Sequence, residues 1–441
     1  MNTKQLKQKI LSLAISGKLV PQDPSDEPAS ELLKRIKPER ESTVEKGRKK
    51  KATTDTSHYQ QQPPFELPKG WVWCKLGECT INRDNERIPI SSEIRKKQQH
   101  KQYDYYGASG VIDKVDNYLF DERLLLIGED GANLLSRSKN NAFFAEGKYW
   151  VNNHAHVIDA KPKNILSYIV LVINSIKLDD FITGSAQPKL SQDNLNKIPI
   201  PLPPLAEQQR ITQEVNRLFT LIDQLEEDRA ALQQLVSQLK SKILSLAIRG
   251  QLVPQDANDE PAEVLLKRIN PEYKSRGNLH YKNLPKGWEV IPIKMVCKLN
   301  DGEKKKNVEL PYLDVKYFRG KVANTTKKDG KFIPKNTTLI LVDGENSGEI
   351  FYASREGYQG STMKILKIEP IVDRMYILHF IKSYQKELKE NKVGSAIPHL
   401  NKKLFGELQL PLPPLAEQQR IVEQVEKLFK QLDEIQNALA I

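Results

Sequence analysis

The eleven residues PLPPLAEQQRI occur twice in this chain, at 201–211 and again at 411–421. Each copy opens with prolines, which end an extended segment and fix backbone geometry suited to a helix start. Glu207 then falls in the first helical turn, where a carboxylate interacts favourably with the helix dipole. The stretch therefore predicts a junction between an extended segment and a helix that the chain builds twice, 210 residues apart.

Two further motifs repeat with other offsets. KILSLAISGKLVPQD at 9–23 matches KILSLAIRGQLVPQD at 242–256, and LPKGW at 67–71 matches the same letters at 284–288. The central part of the chain carries all three motifs in series, whereas the N-terminal part has only the last two and the C-terminal part only the first. This is the pattern of a two-fold repeat arranged circularly and opened inside one copy, so we expect the two termini to meet in space.

The residues between LPKGW and PLPPL diverge between the two copies and indicate mixed strand and loop, as in LLLIGEDG and TLILVDGENSG. A weaker similarity survives near the ends of these blocks, in GSAQPKL at 184–190 and GSAIPHL at 394–400. Each is preceded by an apolar, helix-like run, at 164–182 and 371–389. Two related domains with different surfaces follow from this pattern.

A long helix follows the first PLPPL, because no proline or glycine occurs from Leu205 to Arg249. Its apolar residues alternate steps of three and four, with Arg229 the polar exception, which is the heptad pattern of a coiled coil. The seam consists of Ile211, Val215, Leu218, Ile222, Leu225, Leu232, Val236, Leu239, Ile243 and Leu246. The C-terminal copy keeps the phase with Ile421, Val425, Leu428, Leu432, Ile435 and Leu439.

The partner of this helix would be split between the two ends of the chain, since Leu6, Ile10 and Leu13 continue the C-terminal seam. A pseudo-two-fold relation between the units requires the paired helices to run antiparallel. The alternatives are that the helix packs on a globular core or pairs with another molecule.

Composition bounds the class of protein. A chain of 441 residues predicts two or three domains, and a net charge of +12 suits nucleic acid, an anionic membrane surface or simply a soluble basic protein. No apolar run is long enough to span a bilayer, and the basic-then-apolar N-terminal stretch has the periodicity of a structural helix. Three cysteines, Cys74, Cys79 and Cys297, fit a reducing cytoplasm.

Signatures of catalysis are missing from the sequence: no dinucleotide-binding or P-loop glycine motif, no amino-methyltransferase tetrapeptide and no nucleophile elbow occurs. Cys74 and Cys79 lack a second pair at zinc-finger spacing. His154 and His156 would share one side of a strand if 151–158 is extended, but no third metal ligand is evident. Asp130, Glu146 and Lys148 superficially resemble a nuclease triplet, but the second block does not repeat it. We therefore expect no catalytic residue and no metal ligand in this chain.

Taken together, PLPPLAEQQRI at both sites, LPKGW, SLAIRGQLVPQD and GSAxPxL resemble the specificity subunit of type I restriction–modification systems over nearly the whole chain. The resemblance implies a non-catalytic chain in which each variable block is a target recognition domain that reads one half of a split, asymmetric DNA site. The paired helices would set the spacing of the half-sites and dock two methyltransferase subunits, with restriction subunits joining the full complex. S-adenosylmethionine, ATP and Mg would be bound by those partners, and none by this chain.

The predicted fold class is α+β, with two related mixed α/β target recognition domains separated by a long antiparallel two-helix coiled coil, pseudo-two-fold symmetric with a circularly arranged repeat. The predicted segments are 1–40, an N-terminal half-repeat whose helix completes the C-terminal spacer unit; 41–66, a flexible basic linker; 67–204, recognition domain 1; 205–250, the central spacer helix; 251–283, a linker; 284–414, recognition domain 2; and 415–441, the C-terminal spacer helix.

Polar and basic residues near glycine-rich loops are the candidates for DNA contact, because Arg, Asn and Gln can hydrogen-bond base edges while Lys more often meets phosphate. In the first domain they are Arg95, Lys96, Lys97, Gln98, Lys101, Tyr105, Ser109, Asn133, Arg137, Asn152, Asn153, His154, Gln187 and Lys189. In the second they are Lys304, Lys305, Lys306, Lys316, Tyr317, Arg319, Asn346, Gln359, Ser361, Thr362, His399, Asn401 and Lys402. An ordinary solvated role is the alternative for each residue, and a protein-binding coiled-coil scaffold is the alternative for the chain.

Overall fold

The structure is a computed structural model that describes residues 2–44, 65–184, 186–275, 281, 283–321, 325–393 and 398–439, without the side chains of 37–44. The chain forms two compact units, Met1–Asp228 and Arg229–Ile441. The predicted basic linker lies for the most part outside the described residues, as does the first half of GSAIPHL. No helix among the described residues is both long and apolar enough to cross a membrane.

The first unit is built from short strands and helices bracketed by its long helices. Its helices are α1 Thr3–Ile15, α2 Ala29–Val44, α3 Leu76–Cys79, α4 Ser92–Lys97, α5 Asn133–Ser136, α6 Ile165–Ser175 and α7 Gln192–Lys197. Its strands are β1 Val72–Lys75, β2 Ile81–Asn82, β3 Tyr103–Gly107, β4 Gly110–Val115, β5 Phe120–Asp121, β6 Leu124–Gly128, β7 Ala142–Ala145, β8 Lys148–Val151, β9 Ala155–Asp159 and β10 Pro199–Leu202. Helix α8, Leu205–Ile248, then runs on into the second unit.

The second unit repeats this plan. Its further helices are α9 Ala262–Ile269, α10 Val315–Phe318, α11 Arg374–Ser383, α12 Gln385–Glu390, α13 Lys402–Glu407 and α14 Leu415–Ala438. Its strands are β11 Glu289–Pro292, β12 Cys297–Asn300, β13 Glu303–Lys305, β14 Leu310–Leu313, β15 Thr326–Lys327, β16 Gly330–Ile333, β17 Thr337–Leu341, β18 Ile350–Ala353, β19 Gly357–Gln359, β20 Met363–Ile368 and β21 Gln409–Leu412. Helix α9 falls inside the segment predicted as a linker.

Each unit joins the beginning and end of its variable block in a two-stranded antiparallel ribbon. In the first unit β1 pairs with β10, with Val72 opposite Leu202. In the second β11 pairs with β21, with Glu289 opposite Leu412. The strand after LPKGW therefore pairs with the strand that leads into PLPPL in both units, and the variable block is closed at its base.

Two further sheets in each unit form the body of the variable block. The first unit has the orders β2-β9-β6-β7 and β4-β3-β8-β5, and the second has β12-β20-β17-β18 and β13-β16-β19-β14-β15. The predicted helix-like runs become α6 in the first unit and α11 with α12 in the second. Apolar residues of α6 and α11, such as Ile169 and Ile377, are fully buried, because each helix covers one face of a sheet and also meets the long helices.

Helices from the repeated motifs pair within each unit. In the first, Lys7 on α1 forms an ion pair with Asp223 on α8, and Thr3 donates a hydrogen bond to Glu226, so the residue order shows the two helices to be antiparallel. In the second, Lys240 on α8 pairs with Asp433 on α14. The second pair sits at the positions equivalent to Lys7 and Asp223, with offsets of 233 and 210 residues.

The predicted seam is only partly covered. Ile211, Val215, Ile222 and Val236 are buried, and Ile421 and Val425 are buried likewise. The prediction is wrong for Leu225, Leu232, Leu239 and Ile435, whose exposed fractions are 54%, 42%, 41% and 48%. A straight α-helix has 3.6 residues per turn, so a strict 3.5-residue repeat rotates out of a contact after a few turns.

Candidate nucleic-acid interface

A buried carboxylate joins the three repeated motifs at the base of each variable block. In the first unit Glu207 accepts a hydrogen bond from the indole Nε1 of Trp71 at 2.9 Å and another from Nε2 of Gln22 at 3.0 Å. Arg210, one turn further along α8, donates to Asp26 at 2.6 Å. PLPPLAEQQRI, LPKGW and the LVPQD segment therefore meet at one point, which we call the hub.

The second unit builds the same hub. Glu417 accepts from Trp288 at 2.9 Å and from Gln255 at 3.0 Å, and Arg420 donates to Asp259 at 2.6 Å. Burial raises the pKa of Glu417, although the hydrogen bonds from Gln255 and Trp288 work in the opposite direction.

Glycine is required beside each hub. Gly17 and Gly250 have φ of +67° and +65°, a region that costs other residues free energy. A Cβ atom would also lie 2.3 Å from Pro68 Cγ in the first unit and 2.4 Å from Pro285 Cγ in the second. The close approach of the SLAI-x-G turn to LPKGW explains why both copies contain Gly at this position.

Four loops of the first unit meet at one end of its sheets. Glu129 N donates to His154 O at 2.8 Å, Gly131 N to Pro188 O at 3.0 Å, and Asn152 N to Tyr106 O at 3.1 Å. A Cβ on Gly128 would lie 2.7 Å from the carbonyl oxygen of Ala108, so the loop after β3 adjoins the same point. We call this assembly, residues 108–110, 128–131, 152–154 and 187–190, the first loop end.

The second unit forms a matching second loop end from residues 314–320, 343–349, 360–362 and 398–400. Gly344 N donates to Pro398 O at 2.7 Å, Val342 N to Thr362 O at 2.8 Å, and Gly360 N to Leu313 O at 3.0 Å. These bonds occupy the same places in the topology as those of the first loop end.

An aspartate paired with a histidine lies at both loop ends, but the histidine comes from different loops. Asp130 contacts His154 Nδ1 at 2.7 Å, and Asp343 contacts His399 Nδ1 at 2.7 Å. In the first unit the position equivalent to His399 is Lys189, which is 3.2 Å from Glu129. The backbone frame is thus shared by the two loop ends, while the polar side chains on it differ.

The structure brings many of the predicted DNA-contacting residues to these two ends. At the first loop end are Ser109, Asn152, Asn153, His154, Gln187 and Lys189; at the second are Lys316, Tyr317, Arg319, Asn346, Ser361, Thr362 and His399. Asn153, Gln187, Lys316 and Asn346 are exposed there and free to meet a ligand.

Other candidates lie on separate elements. Lys96, Lys97 and Gln98 are on or next to α4, Lys304 and Lys305 are on β13 with Lys306 after it, and Lys402 is on α13. Lys305 lies over the ring of Phe332, 4.2 Å from its centroid.

Three predicted contacts are wrong, because the side chains are buried and bonded inside the unit. Tyr105 is 1% exposed and its hydroxyl donates to Ile90 O at 3.2 Å. Asn152 is 4% exposed and accepts from His154 N at 2.8 Å. Gln359 is 6% exposed and its Nε2 donates to Met363 O at 2.6 Å and to Asp301 at 2.9 Å.

Further candidates hold local structure rather than a free surface. Arg95 and Lys101 both pair with Asp113, and the hydrogen bond from Arg95 is the main reason that the pKa of Asp113 falls to about 2. Arg137 donates to Asn174 O at 2.6 Å, and burial lowers its pKa. The remaining members of this group are Asn133, which accepts from Lys139 N, Arg319, which pairs with Glu349, and Asn401, the N-cap of α13.

The predicted histidine pair does not form. β8 ends at Val151 and β9 begins at Ala155, so His154 is in an exposed turn whereas His156 is buried. Backbone pairing of β8 with β3 and of β9 with β6 puts the two strands in different sheets, which explains the break at 152–154.

His156 instead belongs to a buried charged cluster. Its Nδ1 contacts Asp84 at 2.6 Å, its Nε2 contacts Leu190 O at 2.8 Å, and Arg87 pairs with Glu129 at 2.7 Å. Burial alone would raise the pKa of Asp84, but the hydrogen bond from His156 and the charges of His156 and Arg87 lower it. The geometry of Asp84, Glu129 and His156 could accept a metal ion, yet Arg87 already supplies the compensating charge.

The acidic–Lys triplet is dispersed. Asp130 pairs with His154, Glu146 with Arg123 at 2.6 Å, and Lys148 lies over the Tyr118 ring, 4.8 Å from its centroid. These separate pairings leave no common centre for the three side chains.

Comparison with known proteins shows which family the chain resembles. The model of the type I restriction modification DNA specificity domain matches residues 68–234 and again 285–440. The chain belongs to this family. As a member of the specificity family it recognises DNA sequence for a type I restriction–modification complex and is not itself the catalytic component.

Curated relatives and solved structures extend the match over most of the chain. The EcoAI specificity subunit of Escherichia coli is 28% identical over 97% of this chain and 89% of its own length, and the EcoEI specificity subunit of Escherichia coli is 32% identical over 61% and 55%. The HsdS subunit from Thermoanaerobacter tengcongensis has a TM-score of 0.50 at 19% identity over 86% of this chain and 93% of its own. A chain from a study of type I R-M complex assembly has a TM-score of 0.53 at 19% identity over 86% and 94%. The two structures share the specificity-subunit fold.

Sequence reasoning missed the hub as a bonded unit, although the repeats located all of its parts. Trp71 and Gln22 lie in the repeated motifs and Asp26 lies three residues after one of them; the identity of all three residues between the copies is the signal that could have found them. The carboxylates at the loop ends, Asp130 and Asp343, were missed as partners of the histidines. The shared Asp-Gly dipeptides GEDG and VDGE mark them in the sequence.

Proposed function

We propose that each loop end reads one half of a bipartite, asymmetric site on double-stranded DNA. The observation that carries this is the repetition of one backbone frame, four loops above an identical hub, with different exposed side chains on each copy. Side chains at the first loop end are Asn153, His154, Gln187 and Lys189; those at the second are Lys316, Asn346, Ser361 and His399. Asn and Gln suit hydrogen bonding to base edges, and Lys suits phosphate or guanine.

We also propose that α8 sets the number of unread base pairs between the half-sites. It is a single helix of 44 residues that enters both units and therefore can act as a spacer of fixed length. This role includes pairing with α1 and α14 as the antiparallel two-helix coiled coil that the sequence predicts.

An exposed apolar stripe on α8 supports docking of two methyltransferase subunits. Leu221, Leu225, Leu232, Leu235 and Leu239 are each 41–54% exposed and are spaced three, four or seven residues apart. A stripe of this kind on a helix is the pattern that pairs with an apolar face of another helix. Restriction subunits would join the resulting complex, which we place in the cytoplasm.

The chemistry would then belong to the partners. S-adenosylmethionine would serve the methyltransferase subunits in adenine methylation, and ATP and Mg would serve restriction. This chain contributes DNA sequence recognition and the spacing.

The test is methylation-site mapping after co-expression with a type I methyltransferase subunit. We expect a two-part motif with a fixed gap, and an insertion of seven residues after Ala230 should lengthen the gap by up to about three base pairs, the length that seven helical residues span. A contiguous motif, or an unchanged gap with retained methylation, would contradict the proposal. DNA binding without sequence preference would favour the scaffold alternative.

A further inference from the structure

A basic cavity opens in the second unit beside its loop end. Its volume is about 560 Å³. It lies between α8, the loop 343–349 and the end of α11 with α12, and Arg319 and Asn346 of the second loop end form part of its wall.

The lining carries an excess of positive charge. Its cationic side chains are Arg319, Lys382, Lys386 and Lys389, against the single carboxylate of Glu349. Glu349 is already paired with Arg319, so it leaves the lysines uncompensated. Lys386 is 3.8 Å from Glu390, with both side chains largely exposed, a geometry that contributes little attraction in water.

Lys382 lies against the helices of the same unit. Its Nζ is 5.3 Å from the centroid of the Phe429 ring, and Nζ of Lys240 is 5.8 Å from the same centroid. Two ammonium groups therefore share one aromatic ring, and Asp433 pairs with Lys240. An anion in the cavity would relieve the repulsion that remains around Lys382.

Direct hydrogen bonds cross the equivalent place in the first unit. Tyr168 donates to Pro201 O and Tyr376 donates to Pro411 O, each at 2.6 Å, so the two tyrosines are equivalent and align α6 with α11. In this alignment Asn174 corresponds to Lys382, and Ser175 corresponds to Ser383. There, Asn174 O accepts from Arg137 at 2.6 Å.

Helix α1 contributes a second contact at the same place. Gln8, at the position of Ser241, donates to Ser175 O at 2.9 Å. In the first unit, hydrogen bonds from Arg137 and Gln8 therefore cross the place that is an open, lysine-lined cavity in the second unit.

We propose that this cavity binds a backbone phosphate of the DNA that flanks the half-site read by the second unit. The inference rests on the proposed function, because the cavity shares Arg319 and Asn346 with the second loop end. Phosphate suits the site because lysine ammonium groups contact phosphate without reading bases. The second unit would then hold its flank more firmly than the first.

The experiment compares Lys386→Gln/Lys389→Gln with Lys427→Gln/Lys430→Gln in the complex with methyltransferase subunits. Both pairs are exposed, are three residues apart on helices of the second unit and remove two positive charges, but only the first pair lines the cavity. The affinity for a duplex carrying the mapped motif is measured between 50 and 200 mM salt. The slope of log K against log salt is negative, and each lost phosphate contact reduces its magnitude by about 0.9.

For the cavity variant we expect the magnitude of that slope to fall by about 0.9, the value for one phosphate, and the methylated motif to be kept, while the α14 variant behaves as wild type. A scan of uncharged methylphosphonate linkages should find a flank position that weakens wild-type binding and leaves the cavity variant unaffected.

Equal slopes for the two variants, or identical methylphosphonate profiles for wild type and the cavity variant, would overturn the phosphate site while leaving half-site reading intact. A changed motif would overturn it as well, since the lysines would then read bases. If the wild-type complex prefers no DNA sequence, the proposed function fails and this inference fails with it.

Discussion

Trp288 donates its indole N–H to a carboxylate oxygen of Glu417 at 2.9 Å, in the interior of the second unit. The two residues are 129 positions apart, one at each end of the variable block. With Gln255 on the other carboxylate oxygen, this single side chain fixes the entry and exit of the recognition domain to the long helices.

Glu417→Ala should destabilise the second unit by about 2 kcal/mol or more, because it leaves buried donors on Trp288 and Gln255 without an acceptor. The loss is read by hydrogen exchange over α14 and by denaturant unfolding of the full chain. Glu423→Ala, an exposed change on the same helix, is the control and should alter neither. Equal effects of the two substitutions would contradict the role of the hub.

His379 makes the second unit sensitive to acid. It is 8% exposed, its ring meets Phe429 edge-on, and burial followed by the charge of Lys382 lowers its pKa to about 4, with Asp373 working in the opposite direction. Because the folded pKa lies below the unfolded one, the stability is complete above about pH 6.5 and declines as the pH falls towards 4.

His379→Phe should remove that decline. We expect wild type to lose about 2 kcal/mol between pH 7 and pH 5 relative to the variant, measured by urea unfolding at each pH. Parallel pH profiles of the two proteins would show that the imidazole does not titrate in this range.

Asp113 should make the stability of the first unit fall with decreasing pH as well, but in a lower pH range than His379. Hydrogen bonds, first from Arg95 and then from Lys114 N and Lys101, outweigh its slight burial and lower its pKa to about 2. Asp113→Asn should therefore cost stability at pH 7 but not at pH 2, since the contribution of the carboxylate is lost as the pH falls from about 4 to about 2. Thermal unfolding over this range, with Asp116→Asn as the control, checks the prediction.

Asn153→Ala and Asn346→Ala should relax opposite halves of the methylated motif. Each exposed amide can donate and accept at a base edge, and loss of one such contact costs about 1–3 kcal/mol of discrimination at that base pair. Each variant is the control for the other in methylation-site mapping. Relaxation of both halves by either substitution would argue against separate reading by the two units.

Leu232→Glu with Leu239→Glu should abolish co-purification of methyltransferase subunits without unfolding the chain, because both side chains are already exposed. Gln233→Glu with Gln238→Glu adds the same charge to exposed positions of the same helix and should leave the complex intact. Retention of the partner by the leucine variant would remove α8 as the docking helix.

Part of the architecture could be predicted from the sequence because the repeats specify it. The proline-led helix start and the uninterrupted stretch after Leu205 depend on local chemistry that is written twice. The pairing of the strand after LPKGW with the strand before PLPPL was not predicted, because its residues, such as Val72 and Leu202, are far apart in sequence. The extent of the covered seam could not be predicted, because it depends on where α1 and α14 lie along α8.

The site was harder to predict than the fold. Asn153 and Asn346 remain predictions and are exposed in loops, whereas Tyr105 and Gln359 lie in strands β3 and β19 and are buried. Whether a polar side chain faces solvent is decided by its partners in space, here Ile90 O for Tyr105 and Asp301 for Gln359, and these are distant in sequence. The lysines of the cavity were missed because α11 and α12 resemble ordinary amphipathic helices.

The hub has a consequence for how such chains diversify. Every hydrogen bond in the hub joins residues outside the variable block. The variable block can therefore be exchanged without altering these hydrogen bonds. A block moved from one position to the other, or from another chain with the same three motifs, would meet the same tryptophan, carboxylate and glutamine. Both hubs therefore accept a variable block in the same way. New specificities can arise by replacing a whole variable block rather than by changing residues one at a time.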